Sequence, residues 1–569
     1  MKYKLSIPNP SQQFIHFNVS IYFKEGIQKI NIPTWRPGRY QEADFAKYIK
    51  SFKIFAEDGK PLSFSKTSKS TWEVEIDKPQ KIEVSYKFYA SIMNAGSTYL
   101  SEKQLYVNPV NCFIYTENNY DSFHEVELNI PDDWKIANPL KTTQKVFTAR
   151  NFDELADSPF ICSKDLQYNS YEVDDYTFHI WFNGIVKPDW KKVLRDFKAF
   201  TKEQLNRFKE FPTKDYHFLF QILPYKTYHG VEHEKCTVIT VGPSYAVFSS
   251  LYTEFLGVSS HELYHTWNVK AIRPAEWYPY DFSKPNFSKL GYIAEGVTTY
   301  MGDLFLYKSK VFDEKQYFIE LSAQLQKHFD NFGRFNYSVA ESSWDTWLDG
   351  YEAGIPGRKV SIYTEGCLLA FALDILILKS TDLNKDLSDV MRSLYFDFAQ
   401  KNKGVTEDDF LNSINNVAGK DFSWFFEQYY NGTKAYETLL IELFEDLGMK
   451  IISKPSSDFA ASYLGVKTIP NQNGQQVKVI YPGSGLDLGG LTIDDIIIGI
   501  NGISINNDLS QWVEYFKDDQ VNLDVISHDG TIKKIVIPNT NRVYFKTYSL
   551  ERLENRDKLQ DRLYEAWVR

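Results

Sequence analysis

His261 and His265 stand four positions apart in the run His261-Glu262-Leu263-Tyr264-His265. On a helix, positions i and i+4 share one face, so both imidazoles can reach one metal ion. Glu262 lies beside His261, where a carboxylate can take the proton of an attacking water as general base. With 10 histidines in 569 residues, chance gives only about 0.01 matches to this pattern. Two histidines leave a catalytic zinc short of its usual three protein ligands. Downstream, Tyr292-Ile293-Ala294-Glu295-Gly296-Val297 sets a carboxylate in an apolar, helix-forming stretch. Glu295 is the best candidate for the third ligand, because a buried carboxylate needs a cation to offset its desolvation. His229 and His233 are also four apart, but Gly230 between them argues against a helix and hence against a second metal site. His124-Glu125 has no partner histidine and reads as sheet surface.

The elements that must carry these residues follow from hydrophobic period. Residues 1–170 read as β-rich, with period-two stretches such as Phe14 to Tyr22 and Trp72 to Phe88 separated by turn signals. The texture then changes. Trp190 to Phe211 carries Val193, Leu194, Phe197, Phe200 and Leu205 at helical spacing, and strand-like segments follow at His217 to Leu223 and Thr237 to Val241. Helical patterns dominate to about residue 435, including Glu314 to Phe329 and Cys367 to Leu378. Ser259-Ser260, after the apolar run Leu251 to Leu256, reads as the cap of the helix bearing the two histidines. Residues 446–540 form a second β-rich block with glycine turns. Residues 541–569 read as a helical tail, with Leu550, Leu553, Leu559, Leu563 and Trp567 on one face. The expected architecture is α+β and multidomain: 1–170, 171–445, 446–540 and 541–569.

Composition excludes several classes. Lys and Arg number 64 against 74 Asp and Glu, a net charge of −10, which does not suit a nucleic-acid binder. No run of about 18 apolar residues occurs, so no membrane-spanning helix is expected. Four cysteines, Cys112, Cys162, Cys236 and Cys367, form no CxxC pair and suit a reducing compartment. The opening Met1 to Pro10 lacks the apolar stretch of a signal peptide, so a cytoplasmic location is expected.

The segment His261 to Pro274 (H-E-L-Y-H-T-W-N-V-K-A-I-R-P), with Ala294 to Leu304 (A-E-G-V-T-T-Y-M-G-D-L), resembles the glycyl aminopeptidase family. These are gluzincin zinc metallopeptidases with a thermolysin-like catalytic domain. Ile32 to Tyr40 (I-P-T-W-R-P-G-R-Y) resembles that family's N-terminal β domain, and Tyr463 to Thr468 (Y-L-G-V-K-T) its PDZ domain. The resemblance implies one Zn²⁺ per chain held by His261, His265 and Glu295, with Glu262 as base. Gly230-Val231-Glu232-His233 is similar to the family's G-x-E-H segment, which implies that Gly230, Val231 and Glu232 bind substrate, Glu232 pairing with its free α-amine. Ser361 to Gly366 resembles the superfamily segment whose Tyr donates to the oxyanion, here Tyr363. Leu464-Gly465-Val466, followed by Pro482-Gly483-Ser484-Gly485, Gly489 to Asp495 and Ile500-Asn501-Gly502, resembles a PDZ carboxylate-binding loop and its framework, which implies a peptide C-terminus as possible partner.

The sequence departs from the pattern at Glu365, where Lys is usual, and at His229, where Gly is common. The Asp expected four residues after the Glu ligand is Thr299, so Asp303 or Thr299 itself is the candidate to orient a histidine. Asn268, Lys270 and Arg273 match the family pattern without an assigned role. The expected activity is zinc-dependent removal of N-terminal residues, Gly or Ala, from peptides. Two other readings stay open: an endopeptidase of thermolysin type, and a non-enzymatic PDZ scaffold.

Overall fold

The computed structural model describes residues 1–352, 354–537 and 542–569. The β-rich N-terminal part holds a seven-stranded sheet in which Lys2–Ser6 lies between Phe14–Phe23 and His124–Asn129, flanked by sheets of three and four strands. Alternation places Ile15, Phe17, Val19, Ile21 and Phe23 inward along one strand, as period two requires. His124 is not surface: it is fully buried, and its Nδ1 meets the Tyr3 hydroxyl at 3.0 Å. It begins a strand whose alternate residues, His124, Val126 and Leu128, all face inward.

A five-stranded sheet follows, in the order Gln167–Val173, Tyr176–Gly184, Asp215–Ile222, Cys236–Gly242, Thr227–Glu232. The last of these is an edge strand, antiparallel to Cys236–Gly242. Helix Trp190–Phe208 packs its apolar face on this sheet. The histidine-bearing helix is Tyr252–Tyr264. Ser259 and Ser260 therefore lie inside the helix and do not cap it. Both are buried; the Ser259 hydroxyl donates to the Phe255 carbonyl (2.6 Å) and the Ser260 hydroxyl to the Gly302 carbonyl (2.6 Å). Buried hydroxyls satisfied by backbone carbonyls need no helix terminus.

Glu295 sits in a π-helical turn, Tyr292–Val297, that runs into helix Thr298–Lys308. Helix Ile362–Ser380 crosses this turn at a glycine pair: a Cβ on Gly296 would lie 2.3 Å from the Gly366 Cα. Any larger residue at either position would push Tyr363 away from Glu295.

The C-terminal β block is a six-stranded sheet with short helices Gly485–Leu488 and Leu509–Tyr515 and its own apolar core. Leu464 and Val466 are buried in that core, and Tyr481 and Tyr544 pack against Gly465. The tail is not one helix. Lys546–Arg552 is a strand paired antiparallel with Met449–Pro455, and the helix is Lys558–Val568. Asp557 accepts from the Leu559 and Gln560 amides and so fixes the helix start. Leu559 is accordingly 66% exposed, whereas Leu550 is buried through the strand. Among the described residues, no helix is long and apolar enough to cross a membrane.

Trp567 is fully buried, its indole donating to the Tyr300 hydroxyl at 2.8 Å. Trp567→Ala is expected to cost about 3–5 kcal/mol, read as a lower midpoint in denaturant unfolding of the full chain.

Candidate active site

His261 and His265 face the same side of their helix end, with their Nε2 atoms 3.0 Å apart. Glu295 Oε2 lies 3.3 Å from His265 Nε2 and 3.8 Å from His261 Nε2. The three candidate ligand atoms fall within 4.8 Å of one another. His265 Nδ1 meets the Asn268 carbonyl at 2.7 Å, so it carries a proton there and the ring is held with Nε2 turned toward Glu295. Asn268 is itself fixed: its amide donates to the Ile293 carbonyl (2.9 Å) and to the Thr298 hydroxyl (3.1 Å), which donates to the Ala294 carbonyl (2.7 Å). The residue that orients His265 is therefore Asn268 and neither Asp303 nor Thr299. Asp303 lines the cavity wall, and the Thr299 hydroxyl is buried without a partner among the described residues. The chain bends out of helical geometry at Asn268 (φ −124°, ψ 90°), which turns that carbonyl back onto the imidazole.

Three carboxylates crowd this pair. Burial raises the Glu262 carboxyl well above its usual range, and Glu232 and Glu295 raise it further. Burial alone would lower His265, but Glu295, Glu232 and Glu262 outweigh it and hold the imidazole at about 10. Burial likewise acts to raise Glu295, but His265 and His261 outweigh it and hold that carboxyl at about 2. A pocket that presses a proton onto an imidazole in this way has negative charge to spare. Two imidazole nitrogens and a carboxylate oxygen are also a zinc-type donor set. The residues present fit a divalent ion.

A cavity of about 900 Å³ opens onto this cluster. Its lining includes Gly230, Glu232 and Tyr363. Gly230 is required by close approach: a Cβ there would lie 2.1 Å from Glu262 Oε1. Glu232 is 3% exposed, and its Oε1 has no hydrogen-bond partner among the described residues. Val231 does not line the site. Strand alternation turns it to the opposite face, where it packs with Tyr106, Ile161, Leu219 and Val238. Tyr363 stands in the first turn of its helix, which Ser361 caps, and burial followed by Glu295 raises its hydroxyl well above the usual range.

His229 and His233 form no metal group among the described residues. His229 lines the cavity, held at about 3 by burial and by Arg36 and Arg39, and His233 pairs with Asp157. The Glu365 departure has its own counter-charge. Its oxygens accept from His328 Nδ1 at 2.9 and 3.0 Å and from the Tyr436 hydroxyl. Tyr40 was not foreseen as a site residue, although the Ile32 to Tyr40 run contains it. Its hydroxyl lies 3.4 Å from Glu295 Oε1, and its ring stacks on Trp277 at 4.4 Å.

Residues 2–164 match the family model described as Peptidase M61 N-terminal domain, and residues 254–369 the one described as M61 glycyl aminopeptidase. A solved aminopeptidase N family protein from Idiomarina loihiensis superposes with a TM-score of 0.91 at 24% identity, covering 100% of both chains. At that identity the likeness is one of fold. An M1 zinc metallopeptidase from Deinococcus radiodurans, bound to a Tyr-Ser-Ala substrate, gives a TM-score of 0.48 at 13% identity, over 76% of this chain and 94% of that one. No curated protein matches the chain. The family matches, together with the three converging ligand side chains, support a metallo-aminopeptidase. The resemblance to the glycyl aminopeptidase family is thus matched by two of its models, over residues 2–164 and 254–369.

Burial lowers the His328 pKa, but Glu365 outweighs it and raises the group above its ordinary value. The stabilisation is therefore full below about pH 6.5, the unfolded value, and is lost as pH rises through the higher folded value. The melting-temperature advantage of the native chain over His328→Gln is expected to shrink with rising pH; an advantage that grows would contradict this pairing.

Proposed function

We propose that this chain is a zinc-dependent aminopeptidase of gluzincin type that hydrolyses N-terminal residues, Gly or Ala preferred, from peptides. The observation that carries the reading is the buried Glu232 carboxylate, one oxygen unpartnered, in the same cavity as His261, His265, Glu295 and Glu262. His261, His265 and Glu295 would hold one Zn²⁺. When bound, the ion supplies a Lewis acid that polarises the scissile carbonyl and the attacking water. Glu262 takes the proton of that water and delivers it to the leaving amine. The Tyr363 hydroxyl donates to the oxygen on which negative charge develops. Glu232 pairs with the α-ammonium and so fixes the cleavage point one residue from the chain end.

The N-terminal part closes the amine side. Gly38 leaves so little room that a Cβ there would lie 2.5 Å from Glu232 Oε2. That wall beside Glu232 disfavours the endopeptidase reading; the Gly or Ala preference rests on the family resemblance alone. We also read residues 1–170, 171–445 and 446–540 as separate domains, the last with a PDZ fold. Its loop keeps Leu464 and Val466 in the core, which leaves only backbone amides to meet a peptide C-terminus.

The test compares Ala- or Gly-initiated peptides with their N-acetylated forms. Cleavage of the free peptides only is expected; equal rates would remove the aminopeptidase reading. Glu262→Gln is expected to lower kcat by about 10²–10⁴-fold, and full retained activity would exclude it as the base. Tyr363→Phe is expected to lower kcat by about 10²–10³-fold with little change in KM.

A further inference from the structure

Asp157 directly follows the short helix Phe152–Ala156 of the N-terminal β-rich part. Its carboxylate reaches across to two other elements. Oδ1 lies 3.0 Å from His233 Nδ1 and accepts from Lys270 Nζ at 2.9 Å, and Oδ2 accepts from the Glu234 amide at 2.8 Å. The His233 and Lys270 side chains are 5% and 1% exposed. Burial would raise the Asp157 carboxyl, but Lys270 and His233 outweigh it and hold the group far below the usual range. A lysine ammonium buried to this depth stays charged only beside such a partner.

The positions of these partners matter. His233 and Glu234 are the two residues immediately after Glu232. Lys270 lies two residues beyond Asn268, whose carbonyl orients His265. One carboxylate thus grips the end of the strand that carries Glu232 and the turn that aims His265. Glu232 sits at the end of an edge strand, paired only with Cys236–Gly242, and its Oε1 has no hydrogen-bond partner among the described residues. Its place is therefore set by that pairing, by Gly38 against Oε2 and by the backbone just beyond it that Asp157 anchors.

We propose that Asp157 is a positioning residue for amine recognition: it fixes the Glu232 carboxylate relative to the metal-ligating histidines. The proposal rests on the reading of Glu232 as the amine-binding group. It gives His233, of the G-x-E-H run, and Lys270 a physical role. They are the two side-chain arms of the clamp.

The test uses two hydroxamates alike except that one carries an α-amine, with inhibition constants measured on zinc-loaded enzyme. The native enzyme is expected to prefer the amine-bearing compound. Asp157→Asn is expected to shrink that preference by about tenfold or more while binding of the amine-free compound changes by less than about threefold. Zinc content should remain that of the native enzyme. A preference unchanged in Asp157→Asn, with Glu232→Gln reducing it, overturns the positioning role alone. A preference unchanged in Glu232→Gln overturns the amine reading and this proposal with it. Should Asp157→Asn fail to fold, His233→Gln removes one arm and leaves the Lys270 pair intact. A reduced preference there supports the clamp, and an unchanged one overturns it.

Discussion

Two imidazole nitrogens held 3.0 Å apart, with a buried carboxylate against them, make an arrangement that a protein interior disfavours unless a cation completes it. Everything near the cavity enforces that crowding. The helix supplies the i, i+4 spacing, the bend at Asn268 aims one imidazole, and the Gly296–Gly366 crossing brings the Tyr363 helix onto the turn that carries Glu295. Gly230 lets the edge strand approach Glu262 more closely than any side chain would permit. The result is a concentration of buried carboxylates, Glu232, Glu262 and Glu295, around two imidazoles.

The N-terminal β-rich part is a wall of this cavity as well as a support. Its loop around Gly38 meets Glu232, Tyr40 reaches Glu295, and the Trp35 indole donates to the Asp281 carbonyl at 2.7 Å. Asp157 adds a buried ionic tie from the same part of the chain. The surroundings of Glu232 and Glu295 are thus shaped by residues more than a hundred positions upstream of the histidines. Open-ended clefts suit internal bonds; a cavity closed beside a carboxylate suits chain ends.

The candidate ligands His261 and His265 were legible because helical geometry turns a four-residue spacing into a shared face. Glu295 was legible because an acid in an apolar helical stretch demands a partner. The period-two strands and the longer helices were readable for the same reason, since burial imposes their period. What local pattern could not give were contacts set by tertiary packing. Asn268 acts through its backbone carbonyl, which leaves no side-chain signature. Asp157 and Tyr40 meet their partners across long sequence separations. Val231 falls beside two cavity residues in sequence but on the other face of its strand. In the tail, one apolar spacing fitted a helix, although Leu550 is buried by a strand and Asp557 starts the helix later.

The central claim is that His261, His265 and Glu295 together bind one divalent ion. Metal analysis of the purified full chain beside Glu295→Ala, after equal dialysis against trace zinc, tests it most directly. The account predicts one zinc per native chain and a large loss in the variant, with its melting profile otherwise retained. Equal zinc in both proteins, or none in the native chain, would contradict it.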